Sequence, residues 1–153
     1  MSFEGEVPSV SAFAGRIEKA LERWAWLVAE IDGRPCGYAY GGEHRTRTAY
    51  RYSTEISVYL DPRVHRRGIG RRLYERLFAR LVERGYCNAY AGITLPNDAS
   101  VRLHESMGMR SIGVFPRVGW KFGTWHDVGW WHVALREVPR TDEMPTMPAE
   151  GER

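Results

Sequence analysis

The sequence contains only two cysteines, Cys36 and Cys87, and they are far apart in the chain. A disulfide framework or a cysteine-ligated zinc site is therefore not expected, and a reducing, cytoplasmic location is the default. No apolar run approaches the roughly 18–20 residues of a membrane-spanning helix. The opening residues, MSFEGEVPSV, also lack the basic and apolar regions of a signal peptide. We therefore expect no membrane partner.

Lysine is nearly absent, with 2 lysines against 20 arginines in a chain of 153 residues. The formal net charge of +3 is too small to indicate a nucleic-acid-binding protein by itself. Eight arginines and three acids lie between residues 61 and 84, and Arg72, Arg76, Arg80 and Arg84 form a stripe. The simplest interpretation is a solvated helix face, so no nucleic-acid partner is expected. An arginine-rich nucleic-acid-binding module, with strongly salt-dependent affinity, is the alternative.

Hydrophobic residues make up 43% of the chain, which is enough for one domain with its own core. The hydrophobic patterns predict a helix near residues 10–24, a hairpin over 26–42, a strand over 50–60, a helix over 66–84, a strand over 87–94, a short helix over 96–109, and strands over 110–122 and 127–138 joined by the loop GTWH. This order predicts an α/β (α+β) domain over residues 1–138, with a mixed central sheet flanked by helices. The proline-rich residues 139–153 are expected to be a disordered tail.

The segment SVYLDPRVHRRGIGRRLYERL runs from a strand through a basic loop into an amphipathic helix. Gly68 and Gly70 allow close approach of a ligand to the backbone. The N–H groups of residues 66–71 would be the free donors at a helix start, which favours phosphate binding. Three arginines add positive charge to this loop: Arg66, Arg67 and Arg71. The loop is neither a Walker A motif nor a complete GxGxxG fingerprint, and a plain turn remains the alternative.

RRGIGRRLYERL, followed by NDASVRLHESMGM, resembles the two core motifs of the GNAT acetyltransferases. The wider pattern, with FEG, TEISVYLDP, LPNDASVRLHESMG and VGWKFGTWHDVGWW, resembles the phosphinothricin N-acetyltransferase branch over residues 3–138. The resemblance implies a cytoplasmic homodimer that needs no metal. It also implies transfer of an acetyl group from acetyl-CoA to the amino group of a small amino-acid-like acceptor, such as phosphinothricin or methionine sulfoximine, in a detoxification role.

The resemblance also implies which residues hold the coenzyme. They are Val58, Tyr59, Leu60, His65, Arg66, Arg67, Gly68, Ile69, Gly70, Arg71, Asn97 and Ser100. The N–H groups of residues 58–60 should pair with the pantetheine arm and polarise the thioester carbonyl. Helix capping alone explains Asn97 and Ser100 nearly as well. His65 stands where the family usually has Arg or Gln, so we expect weaker or pH-dependent coenzyme binding.

Two residues are candidates for acid–base chemistry. An amine acceptor is mostly ammonium at neutral pH and needs a base. Glu55 lies in an otherwise apolar and aromatic strand, where desolvation would raise its pKa, and the resemblance makes it that base, directly or through water. The resemblance makes His104 the acid that protonates the departing thiolate. The alternatives are a solvent-facing glutamate and a packed helix histidine.

For the acceptor, Arg47 is a candidate to bind a carboxylate or phosphinate bidentately. The other candidate pocket residues are Arg45, Tyr50, Tyr40 and Phe3. A solvated basic loop with core tyrosines is the equal alternative. Trp120, Trp125, Trp130 and Trp131 are expected in the core or in a dimer interface.

Relatives of this branch usually begin with a strand and a helix before the point where this sequence starts. We therefore expect either that the true start lies upstream or that dimerisation covers an exposed sheet edge. Two other functions stay open. One is acetylation of a different small amine, and the other is a coenzyme-binding protein that has lost catalysis.

Overall fold

A computed structural model describes residues 6–137, which form a mixed six-stranded sheet with helices packed against it. The elements are α1 (Val10–Arg23), β1 (Trp26–Ile31), β2 (Arg34–Glu43), β3 (Ser53–Leu60), α2 (Ile69–Glu83), β4 (Asn88–Thr94), α3 (Asp98–Ser106), β5 (Arg110–Lys121) and β6 (Thr124–Ala134). The strand order is β1-β2-β3-β4-β6-β5. The predicted mixed α/β domain is confirmed, while Phe3 and the predicted tail lie outside the described residues.

Helix α2 packs its apolar face on the centre of the sheet. Leu73, Tyr74, Leu77 and Leu81 are buried there together with Ala39, Ile56 and Ala89 of the strands. The helix ends in a Schellman motif, because Gly85 adopts a φ of 91°. Its N–H bonds to the Val82 carbonyl at 2.9 Å, and the Tyr86 N–H bonds to the Leu81 carbonyl at 3.0 Å. Gly85 therefore ends the helix as its sequence position predicted.

The parallel strands β3 and β4 stay together only at their beginning. Residues 53–55 pair with residues 88–90, and the pair Glu55–Tyr90 is the last in this register. β3 then continues to Leu60, paired with β2 on its other side. Because the two strands are unpaired beyond Glu55, one edge of β3 faces a gap at the middle of the sheet.

Several predicted boundaries were wrong. The helix predicted to begin at residue 66 begins at Ile69. The strand predicted over 50–60 begins at Ser53, because Thr48–Tyr50 forms a 3₁₀ turn. The strands β5 and β6 are not joined by GTWH but by a tight turn at Phe122 and Gly123, with φ of 54° and 73°. Two positive φ values match the twist of a hairpin. The sequence did not predict this turn, because phenylalanine is not a typical turn residue.

The four tryptophans of strands β5 and β6 divide between the core and the surface. Trp131 is buried in the core and Trp130 is half-buried. Trp120 is 59% exposed, and it pairs with the exposed Trp125 across the β5–β6 hairpin. A core position is therefore wrong for these last two. Within residues 6–137, no helix has both the length and the apolar character needed to cross a membrane.

Candidate active site

The loop between β3 and α2 is shaped by local hydrogen bonds and unusual backbone angles. The Asp61 carboxylate accepts hydrogen bonds from the Arg63 guanidinium and, at 2.9 Å, from the Arg63 N–H. These bonds lower the pKa of Asp61 to about 2. Arg66 and Gly68 then adopt φ of 63° and 73°. The left-handed conformation is costly for Arg66 and easy for Gly68, and the chain is thereby turned into the start of α2.

The N-terminus of α2 has no side-chain cap, because its cap residue is Gly68. The hydrogen-bond ladder of the helix starts with the Arg72 N–H, which bonds to the Gly68 carbonyl at 3.1 Å. The N–H groups of residues 69–71 precede this ladder and point toward the start of the helix. They form a positively polarised end that suits an anionic ligand.

A cleft of about 570 Å³ lies between the end of β3, this loop and α3. It is lined by Val58, Tyr59, Leu60, Val64, His65, Arg66, Gly68, Ile69, Gly70, Arg71, Asn97, Ala99, Ser100, Arg102 and Leu103. The structure thus brings together eleven of the twelve residues predicted to hold a coenzyme. The twelfth, Arg67, lines a separate hollow beside β1 with Arg72 and Arg76.

Helix α3 supplies one wall of the cleft. The Asn97 side chain caps the helix, with Oδ1 accepting from the Ser100 N–H at 3.2 Å. Sequence reasoning missed Ala99, Arg102 and Leu103, although their spacing of three and four residues places them on one helix face. Arg102 adds a guanidinium to the cleft.

Glu55 lies where the paired part of β3 ends. Its side chain is 33% exposed, and its Oε1 accepts hydrogen bonds from His44 Nδ1 at 3.0 Å and from Arg45 Nη1 at 3.4 Å. Burial raises the pKa of Glu55, while the His44 and Arg45 side chains oppose that rise. His44 was not a predicted site residue. No sequence pattern pointed to it, because its position follows from the pairing of Gly42 with Glu55, which carries the chain after β2 past this carboxylate.

His104 is 4% exposed and lies between α3 and α2. Its Nδ1 donates to the Ser100 carbonyl at 2.7 Å, so Nε2 accepts from the Tyr74 hydroxyl at 2.8 Å. Burial lowers the pKa of His104 and raises that of Tyr74. His104 does not line the cleft. Its connection to the cleft is through Ser100, whose Oγ is 3.4 Å from Nδ1.

The predicted acceptor residues occupy two neighbouring areas. Arg45 and Tyr50 lie near Glu55, since Arg45 contacts its carboxylate and the Tyr50 ring centre is 5.8 Å from that of His44. Arg47 is exposed and precedes the 3₁₀ turn that contains Tyr50. Tyr40 belongs to an aromatic row on the same face of β1, β2 and β3, where it stacks on Trp26 at 4.4 Å.

The parallel strands β3 and β4 separate, the N-terminus of α2 faces the gap between them, and a half-buried carboxylate lies at the point of separation. Together these features define the class of single-domain N-acetyltransferases. Residues 4–109 match the model of the Acetyltransferase (GNAT) family, and the chain belongs to that family.

Its relatives agree with this assignment. A phosphinothricin N-acetyltransferase of Streptomyces viridochromogenes is 37% identical over 148 residues, covering 97% of this chain and 77% of that protein. An L-methionine sulfoximine/L-methionine sulfone acetyltransferase of Salmonella typhimurium is 40% identical over 116 residues, covering 76% and 68%. A GNAT superfamily phosphinothricin acetyltransferase from Sinorhizobium meliloti, solved in complex with AcCoA, superimposes with a TM-score of 0.88 at 32% identity, covering 95% and 78%.

Proposed function

We propose that this protein transfers the acetyl group of acetyl-CoA to the amino group of an amino acid of the phosphinothricin or methionine sulfoximine type. The observation that carries the proposal is the position of Glu55, which is the last residue of β3 paired with β4 and lies three residues before the part of β3 that lines the cleft. The names of the relatives described above support the acceptor class. Acetylation of such compounds fits a detoxification role.

The residues of the cleft fit a coenzyme A molecule. The bare N–H groups of residues 69–71 suit its diphosphate, and Arg66, Arg71 and Arg102 add charge around them. The edge of β3 that faces the gap offers backbone donors and acceptors, at residues 58–60, to the amides of the pantetheine arm. When bound, acetyl-CoA supplies the activated acetyl thioester. The N–H groups of this edge then polarise the thioester carbonyl.

Glu55 acts as the general base in direct transfer. Its carboxylate takes one proton from the acceptor ammonium, directly or through a water molecule. The freed nitrogen lone pair forms the bond to the thioester carbonyl carbon, the C–S bond breaks, and its electron pair leaves on sulfur. The amide nitrogen loses a second proton, which balances the proton taken up by the thiolate. The thiolate takes up this second proton by way of the Ser100 hydroxyl, and His104, whose Nδ1 lies 3.4 Å from that Oγ, positions Ser100 at the cleft.

The basic loop that contains Arg45 and Arg47 binds the acidic group of the acceptor. Arg47 is exposed on that loop, so its guanidinium is accessible to a carboxylate or phosphinate. Tyr50 lies on the same loop, next to His44. This arrangement directs the amino group of the acceptor toward Glu55.

We also propose that the active form is a homodimer. Several apolar side chains are exposed on the β5–β6 hairpin, namely Ile112, Val114, Phe115, Val118, Trp120, Phe122 and Trp125. Such a continuous apolar hairpin at the edge of a sheet is typical of a surface that another chain covers.

A thiol-release assay tests the proposed activity. Wild-type protein with acetyl-CoA should release free thiol with phosphinothricin or methionine sulfoximine. Methionine serves as the comparison acceptor, because it lacks both the phosphinate and the sulfoximine group. Glu55→Gln should lower kcat by about 10²–10⁴-fold, because general base catalysis is lost. It should leave coenzyme A affinity in calorimetry unchanged. Coenzyme binding without thiol release for any of these acceptors would contradict the proposal.

A further inference from the structure

We propose that His44 is a positioning residue for Glu55. Its Nδ1–H holds the carboxylate at the point where β3 and β4 separate, and so sets the pH range of the reaction. The inference rests on the proposed function, since it gives a partner to the proposed base. The carrying contact is the 3.0 Å hydrogen bond between His44 Nδ1 and Glu55 Oε1.

The imidazole of His44 is itself held in place. Its side chain is mostly buried, its ring stacks on Tyr90 with ring centres 4.5 Å apart and planes 12° apart, and its edge meets Tyr50. Tyr90 is the residue that pairs with Glu55 across β3 and β4. A side chain packed on two rings loses little further freedom when it forms a hydrogen bond, so this contact can define the direction of the carboxylate.

The contacts at Glu55 are uneven between its two oxygens. Within the described residues, the hydrogen bonds from His44 and Arg45 both reach Oε1. Occupation of one oxygen leaves the other available to accept a proton from an acceptor amine. The two donors thereby fix the plane of the carboxylate without blocking its proton-accepting atom.

Other groups face this pair from each neighbouring element. Arg45 lies on the loop after β2, Tyr50 on the 3₁₀ turn, Tyr90 on β4 and His132 on β6. His132 contacts Tyr90 at a ring distance of 4.9 Å, but its Nε2 bonds to Asn88 Oδ1. Among these groups, His44 and Arg45 contact the carboxylate itself.

The direction of the expected pH effect follows from these contacts. A hydrogen bond and a positive charge both favour the ionised carboxylate, and the His44 side chain lowers the pKa of Glu55 against the effect of burial. Loss of His44 should therefore raise the pKa of Glu55. The acidic limb of the kcat/KM profile then moves to higher pH, and the high-pH plateau is retained.

The test compares pH profiles of acetyl transfer for three variants. His44→Phe keeps a ring to stack on Tyr90 and removes the hydrogen bond, and we expect about tenfold lower kcat/KM on the acidic limb, the amount that a one-unit rise in pKa produces. His44→Asn keeps a neutral N–H near the position of Nδ1 and should restore part of this loss. His132→Phe is the matched control, since it changes the other histidine that contacts Tyr90, and its acidic limb should coincide with that of the wild type.

The outcomes separate the inference from the proposed function. If wild-type protein transfers acetyl groups and His44→Phe loses activity equally at every pH, His44 has a merely structural role and the inference is overturned. An unchanged profile for His44→Phe overturns it as well. If the wild type releases no thiol with any acceptor while binding coenzyme A, the proposed function fails first. Circular dichroism and thermal melting of each variant verify that the fold is retained.

Discussion

Burial decides the charge of His104, the histidine that joins α3 to α2. Its pKa is lowered because the protonated imidazole would lose its hydration, so the folded state holds this side chain neutral. The unfolded chain protonates it as the pH falls through about 6.5, while the folded protein does not. The unfolded state thus binds more protons in this range, and the free energy of unfolding decreases as the pH falls.

The first prediction concerns His104→Leu, compared with wild type by urea denaturation at pH 7.5 and 5.5. At pH 7.5 the variant should be less stable by about 1–3 kcal/mol, because the buried Tyr74 hydroxyl loses its acceptor. At pH 5.5 the difference in the free energy of unfolding should narrow by roughly 1 kcal/mol. Only the wild type is destabilised at this pH, because its folded state must keep a histidine neutral. The contributions of Glu55 and His132 to the pH dependence of stability are common to both proteins, so they cancel in the comparison. A gap of constant size would show that His104 does not titrate differently in the two states.

Some residues of the candidate site could be predicted from the sequence, and others could not. Glu55 became a candidate base because it lies in an otherwise apolar and aromatic strand and because of the family resemblance. The same resemblance pointed to Asn97 and Ser100, and both line the cleft. His44 was missed, because nothing local distinguishes a histidine in a polar loop. Its contact with Glu55 depends on the register of β2 and β3, and the three glycines of β2 leave that register undefined in the sequence pattern.

Among the elements, the start of α2 is the proposed binding site for the coenzyme diphosphate. Gly68 has a φ of 73°, as does Gly33 in the β1–β2 turn, and no atom lies within 4 Å of a Cβ added at either position. Alanine at each position should therefore cost the same stability, about 1–2 kcal/mol, because of the left-handed backbone alone. The two positions differ only in what lies beside them.

The second prediction is that Gly68→Ala raises the Kd for coenzyme A about tenfold, which corresponds to about 1.4 kcal/mol. Alanine disfavours the positive φ of residue 68, and a change in that angle redirects the first N–H groups of α2 away from the diphosphate. Gly33→Ala, with the same φ and equal open space, should leave the Kd unchanged in calorimetry. Equal Kd values for both variants would mean that the helix start does not bind the coenzyme.

The helices and buried strands were predictable because their periodicity is strong. Ile69, Leu73, Leu77 and Leu81 repeat every fourth residue, and they lie on the face of α2 that packs on the sheet. The separation of β3 from β4 was not predictable, because both strands have unbroken strand patterns through the point where they part. Tertiary contacts near this point are equally absent from the local pattern, as at Gly70 of α2, where an added Cβ would come within 2.9 Å of Leu103 of α3.

At the scale of the whole molecule, the two edges of the sheet differ. Strand β1 is an edge strand beside β2 at one end, and β5 is an edge strand at the other. Every residue of β5 from Arg110 to Val118 is exposed. The apolar side chains of this hairpin have no covering element within the described chain, so we assign their cover to a second copy.

The third prediction is that the protein elutes in light-scattering chromatography at twice the 17.6 kDa mass of the chain. Trp120→Glu, at a side chain that is 59% exposed, should shift it to the monomer, because a charge buried in an apolar interface is costly. Val28→Lys is the matched control, since Val28 is 52% exposed on the opposite edge strand β1 and should leave the dimer intact. A wild type that remains monomeric across a hundredfold range of concentration would refute the assignment. A dimer that Trp120→Glu leaves whole would move the interface to another surface.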